Sequence, residues 1–138
     1  MRIMSKVHIR IVNLRDYALY RDEVLIRVDR SSPVGSPYHL DDKNDPSQRS
    51  LVCELYHDYF SKIVDKSITN EQLNSFYAYP INRAAFLGYI QYITSMAKKR
   101  RVALGCWCAP RQCHAETIKA YIEEQLEKQG YTISKGGD

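Results

Sequence analysis

The segment Cys106-Trp107-Cys108-Ala109-Pro110-Arg111-Gln112-Cys113-His114 holds the densest set of reactive side chains in the chain. Thiolates and imidazole are zinc ligands, but structural zinc sites usually leave two to four residues between paired cysteines. Cys106 and Cys108 are separated by one residue, and Cys113 and His114 are adjacent, so no zinc site is expected here. His114-Ala115-Glu116 matches the H-x-E half of a zinc deaminase signature, whose other half needs two downstream cysteines. No cysteine follows Cys113. Cys113 beside His114 at a helix start has surroundings that lower a thiol pKa, but the sequence shows no third group to orient the pair.

A binding loop accounts for more of the residues. A strand ends at Cys106, a turn containing Pro110 follows, and a helix begins near Gln112. Ligands of α/β sheets bind beyond the carboxyl ends of the strands. Free N–H groups at a helix start attract anions. Arg111 offers a planar fork to phosphate, and Trp107 a flat face to a base. The plainer reading, that Cys106 and Cys108 are small core residues, fits at least one of them. The same logic draws in the ends of two other strands. These are Asn13 and Arg15 after the first, and Arg30, Ser32, Gly35, Ser36 and Tyr38 after the second. Gly35 would permit close backbone approach, and Tyr38 and His39 would add flat surfaces. The expected ligand contacts are therefore Asn13, Arg15, Arg30, Ser32, Gly35, Ser36, Tyr38, Trp107, Arg111, Cys113 and His114. No catalytic residue, metal ligand or cofactor is expected.

The elements that would position these residues follow from periodicity. Residues 6–13 set Val7, Ile9 and Ile11 against His8, Arg10 and Val12, a strand with one apolar face. Residues 23–29 repeat the pattern with Val24, Ile26 and Val28. Residues 30–46 form a long loop stiffened by Pro33 and Pro37. Asp45-Pro46 opens a helix over residues 47–65, with Leu51, Leu55, Tyr59 and Ile63 as its stripe beside Val52 and Phe60. Thr69 to Gln72 reads as a capping box for a short helix closed by Pro80. Residues 82–98 are helical through Phe86, Ile90, Ile93 and Ala97. Residues 101–106 form a strand apolar on both faces, as in a parallel sheet. Residues 112–129 form the last helix, stopped by Gly130. The predicted fold is α/β, a small Rossmann-like domain of order β-β-α-α-β-α with a mainly parallel sheet flanked by helices. It is one domain over residues 1–138, with 132–138 as a loose tail.

The 138 residues suffice for one self-sufficient core. No apolar run reaches the roughly 20 residues of a membrane span, and Met1 to Lys6 shows no signal sequence, so a cytoplasmic protein with reduced thiols is expected. The net charge of +4 suits an anionic small molecule better than a nucleic acid. Lys98-Lys99-Arg100-Arg101 reads as a solvated helix end. Tyrosine is abundant, at 11 residues against 3 phenylalanines. The cluster Tyr56, Tyr59, Tyr77, Tyr79, Tyr89 and Tyr92 suggests packing and a homodimer surface.

The string Gly105-Cys106-Trp107-Cys108-Ala109-Pro110, then Cys113-His114, resembles a family of phage and bacterial domains of unknown function carrying C-W-C-x-P-x-x-C-H. Ser32-Pro33-Val34-Gly35-Ser36-Pro37-Tyr38 is similar to that family's S-P-L-G-N-P-F loop, departing at Ser36 and Tyr38. Val12-Asn13-Leu14-Arg15 matches its V-N-x-R strand end. The resemblance implies a Rossmann-like domain that holds nucleotides or their derivatives, and brings no established activity. Phage members would be candidates for capturing host immune signal nucleotides. The sequence-level expectation is a binding protein for an ADP-ribose-like or cyclic nucleotide. The alternative is a hydrolase of N-glycosidic or phosphate-ester bonds, for which Glu116, Asp41, Asp42 and His39 are the acid–base candidates. A third reading is an interaction protein working through the tyrosine-rich helices.

Overall fold

The computed structural model describes residues 6–38, 44–77, 81–109 and 111–134. His39, Asp41, Asp42, Tyr79, Pro80, Pro110 and the tail from Lys135 lie outside the described residues. Strand β1 (Lys6–Val7) and strand β2 (Ile9–Asn13) are one extended segment interrupted at His8. Strand β3 (Glu23–Arg27) is followed by helices α1 (Pro46–Val64), α2 (Asn70–Ser75) and α3 (Arg83–Ala97). Strand β4 (Arg101–Cys106), helix α4 (Ala115–Lys128) and strand β5 (Thr132–Ile133) complete the chain.

All strand pairings are parallel. β4 lies between β2 and β3, with Ile11 opposite Leu104 and Ile26 opposite the same residue on the other side. β1 pairs with β5, and Ser134 N–H donates to the Val7 carbonyl at 2.8 Å. Residues 132–133, read as the start of a loose tail, therefore form a second, two-stranded sheet with β1; two residues are too short to carry a period. The short helix α2 is a separate element, so three helices rather than two stand between β3 and β4.

Ile9, Ile26, Val28, Val102, Leu104 and Cys106 share one sheet face and one core with Tyr56, Phe60 and Ile63 of α1, Phe86, Ile90 and Ile93 of α3, and Ile118, Ile122 and Leu126 of α4. On the other face no helix is needed. Residues 14–22 run from the end of β2 to the start of β3 across β4, a span within the roughly 3.3 Å per residue of an extended chain. Arg10 pins this crossing by donating to Glu23 Oε1 at 2.6 Å and to the Ala18 carbonyl at 2.5 Å. Tyr20 lies against the guanidinium groups of both Arg10 and Arg101, at 4.7 and 5.6 Å from its ring centroid. Arg100, exposed, donates to the Asp22 carbonyl at 3.3 Å, so the basic run also braces this segment. β4 is apolar on both faces for this reason.

Local signals account for the helix ends. Asp45 caps α1, Thr69 and Gln72 form the capping box of α2, and Asn82 caps α3. Gly130 stops α4 at φ 96°. The stripe of α1 differs from expectation: Leu51 and Leu55 are exposed, whereas Arg49, Tyr56, Tyr59, Phe60 and Ile63 are buried. Tyr59, Phe60 and Ile63 of the expected set are buried, and they are joined by Arg49 and Tyr56, which the expected stripe leaves out. Tyr77 packs its ring edge-on against Tyr59 at 5.3 Å, and Tyr92 is exposed.

Candidate functional site

β3 and β4 end side by side, and two loops follow them: residues 28–38, and residues 107–109 with 111–114. Asp29 ties the first to the second. It is buried, and it accepts from Trp107 Nε1 at 2.9 Å, Ser31 Oγ at 2.7 Å and Arg27 Nη2 at 2.5 Å. Burial pushes the Asp29 pKa up, but these three donors outweigh it and hold the carboxyl at about 2. The Trp107 indole is anchored by its N–H while half its surface, 51%, stays open. The Arg27 guanidinium lies 6.0 Å from its ring centroid.

His114 makes a second tie. Its Nε2 lies 2.5 Å from the Val28 carbonyl, which accepts only, so Nε2 carries the proton. Nδ1 then faces Cys113 Sγ at 3.6 Å with its lone pair. Burial lowers the His114 pKa against the pull of that carbonyl, so the ring is neutral. Tyr56 of α1 closes the unit: its ring meets His114 at 5.0 Å, and its hydroxyl donates to the Val34 carbonyl at 2.7 Å.

The expected contact residues therefore separate into two groups. Asn13 joins β2 to the second loop, donating from Nδ2 to the Ala109 carbonyl at 2.8 Å and accepting from Arg15 N–H at 2.8 Å. Ser32 Oγ donates to the Asp29 carbonyl at 2.8 Å. Ser36 is buried and accepts from Tyr38 N–H at 3.2 Å. Gly35 does allow a close approach, but of the loop to itself: a Cβ there would sit 2.6 Å from both Arg30 Cα and the Asp29 carbonyl oxygen. Tyr38 packs edge-on against Tyr59 at 6.3 Å. With Cys113 and His114, these residues shape and lock the loops. Arg15, Arg30, Trp107 and Arg111 are exposed at the same end of the sheet. Arg30 donates to the Tyr38 carbonyl at 2.7 Å, and Arg111 to Asn44 Oδ1 at 3.2 Å.

The helix start is also different in kind. α4 begins at Ala115, three residues later than the periodicity suggests, and Cys113 N–H donates to Glu116 Oε2 at 3.0 Å. A carboxylate of the chain itself thus occupies one of the amides expected to attract a ligand anion.

The sequence gives no hint of Arg49 as a site residue. It lies on the buried face of α1 and donates to the Gln112 carbonyl at 3.1 Å. Its only sequence signal is placement, since positions 49, 56, 60 and 63 share one helix face. Among the described residues, no group of three or more His, Cys, Asp or Glu side chains is placed to hold a metal ion. A described cavity of about 320 Å³ lies elsewhere, between α2 and the start of α3. Arg83 in its wall is engaged with the carbonyls of Ile63, Asp65 and Ile68, fastening the link from α1 to α2.

The chain is thus an α/β protein built on a small parallel sheet, with two interlocked loops beyond the ends of β3 and β4. It belongs to DUF4326, a domain of unknown function, whose family model matches residues 12–124. No curated protein and no solved structure matches the chain.

Proposed function

We propose that this domain binds a phosphate-bearing nucleotide derivative at the ends of β3 and β4 and releases it unaltered. The observation that carries this reading is Trp107, half exposed yet fixed through Asp29 at 2.9 Å. A rigid, open indole face is a stacking surface for a base. Arg30 and Arg111, exposed on the two loops, supply cations for phosphate, and the net charge of +4 favours an anion. The fold is read as a small Rossmann-like domain, in which this end of the sheet is the usual ligand end. The ligand class is an ADP-ribose-like or cyclic nucleotide. In a phage member of the family, such binding would sequester a host signalling nucleotide in the cytoplasm. Binding is favoured over hydrolysis because the one described acid–base candidate, Glu116, caps Cys113 N–H at 3.0 Å.

Calorimetry against a nucleotide panel, with chromatography of the recovered ligand, tests both halves. Binding with intact recovery is expected. Trp107→Ala should weaken it by about 1–3 kcal/mol, and Arg111→Ala by about 1.5–3 kcal/mol. Lys99→Ala should leave it unchanged. A silent panel would remove the binding reading, and a cleaved product would install the hydrolase in its place.

A further inference from the structure

We propose that the end of the sheet opposite Trp107 is a second binding surface, which takes a single-stranded nucleic acid by its phosphates and one base. The strands are parallel, so β2, β3 and β4 all begin at that end. Lys98-Lys99-Arg100-Arg101 leads into β4 there, and the fold brings further cations to it. Arg101 Nε lies 3.4 Å from Asp22 Oδ1, and Arg100 donates to the Asp22 carbonyl at 3.3 Å, so the neighbouring Arg21 joins the run. Arg10 of β2 and Arg101 of β4 both lie against the Tyr20 ring, at 4.7 and 5.6 Å from its centroid. The side chains of Arg10, Arg21, Lys98, Lys99, Arg100 and Arg101 thus gather around Tyr20-Arg21-Asp22. Two carboxylates stand among them. Glu23 is buried, with its two oxygens taken by Arg10 at 2.6 and 2.8 Å, and Asp22 is exposed. The side chains of Arg21, Lys98 and Lys99 have no hydrogen-bond or ion-pair partner among the described residues. The cationic excess is therefore displayed rather than neutralised, and it repels itself until an anion covers it.

Charge alone would suit any polyanion, and Tyr20 narrows the choice. Its ring is 58% exposed. The two guanidinium groups hold it, and Arg10 also donates to the Ala18 carbonyl at 2.5 Å, which fixes the segment that carries it. A held aromatic ring among arginine forks is the arrangement that stacks one base while the cations take the phosphates beside it. A single strand has bases free to stack on a protein ring, whereas a duplex keeps them within its own stack. An anionic membrane is bound by burying an apolar face below the headgroups, and the groups that meet Tyr20 are guanidinium groups. Trp107, Arg30 and Arg111 take no part in this surface, so it does not rest on the nucleotide reading of the other end.

The test uses the full chain and a fluorescein-labelled oligo(dT) of about 12 nucleotides, within the usual range of single-strand sites. Anisotropy is read across a salt series, beside a duplex of the same length and vesicles containing phosphatidylserine. Wild type should bind the single strand, and more weakly as salt rises. Tyr20→Ala should weaken binding on the order of tenfold, and Tyr20→Phe, which keeps the ring, should bind as wild type. Arg21→Ala and Lys99→Ala should each flatten the log–log salt slope by about 0.7, the share of one phosphate contact on a single strand. Ultraviolet cross-linking of the bound strand, with peptide mapping, should place the adduct within residues 17–22. Should Tyr20→Ala not fold, the two salt slopes and the cross-link decide. A strand that binds in this way while a nucleotide panel stays silent would support this surface and remove only the reading of the other end. No binding at low salt, a preference for duplex, binding to vesicles without binding to the strand, or a cross-link at Trp107 would overturn the proposal.

Discussion

Asp29, buried, and His114, half-buried, are titratable side chains whose charge is set by partners on other segments, and together they make the loop region acid-sensitive. Asp29 has a folded pKa of about 2, below the ~3.9 of an unfolded aspartate. Its contribution is complete above that unfolded value and is lost as the pH falls towards 2. His114 is held below its ordinary value by burial, so the neutral ring stabilises the fold above about pH 6.5. Acid withdraws that contribution first. Urea midpoints measured from pH 8 to pH 3 should therefore fall in two stages. His114→Gln, which keeps a donor for the Val28 carbonyl, should flatten the first stage, and Asp29→Asn the second. Asp29→Asn should also cost about 1–3 kcal/mol at neutral pH, because Trp107, Ser31 and Arg27 all lose a charged acceptor. A single-stage curve in wild type would contradict the assignment. His114 stood out in the sequence for its chemistry, although the geometry gives it an anchoring part. Asp29 did not stand out, because nothing in Val28-Asp29-Arg30 shows that an indole from residue 107 will reach it.

Helices and strands were legible wherever the signal was local. Caps at Asp45 and Thr69 and the stop at Gly130 lie where side-chain chemistry alone puts them. The first half of the α1 stripe was not, because Leu51 and Leu55 fit an i, i+4 line as well as Tyr56 and Phe60 do, and only the tertiary fold chooses. The choice has a measurable consequence. Leu51→Ser and Leu55→Ser should each change unfolding free energy by no more than about 0.5 kcal/mol, as exposed substitutions do. Phe60→Ala should cost about 3–5 kcal/mol, since that ring meets Phe86 at 5.4 Å and Tyr121 at 5.1 Å. Chemical denaturation of the three variants checks the assignment, and a large loss at Leu51 would show that this face is covered in solution. The late start of α4 has a similar origin. Cys113 and His114 carry helical spacing, but their polar groups are engaged with Glu116 and Val28.

At the scale of the whole molecule, the parallel sheet could be anticipated from the doubly apolar β4, but its layering could not. The inner face of β4 meets the helices, whereas its outer face meets an extended crossing of residues 14–22, whose course depends on Arg10 and Arg101 finding Tyr20 across the sheet. No periodicity records such a contact. The resulting architecture predicts an order of protection. β4 is hydrogen-bonded on both sides, and Val102, Ala103, Leu104 and Cys106 have no exposed surface. Its amides open only when β2 and β3 both separate from it, which amounts to unfolding the domain. β1 and β5 pair over two residues only, Lys6 with Thr132 and Val7 with Ile133, and should open without disturbing the centre. Hydrogen exchange followed by mass spectrometry should therefore find residues 102–106 the slowest in the chain, with 132–134 faster by orders of magnitude. The expected contrast comes from the sheet order, because β1 and β4 both contain fully buried residues and differ in how many strands they are bonded to. Rapid exchange through β4 with persistent protection at β5 would mean that the sheet is assembled in another order. In that case the two loops beyond β3 and β4 would not share one rim, and the ligand reading would lose its scaffold.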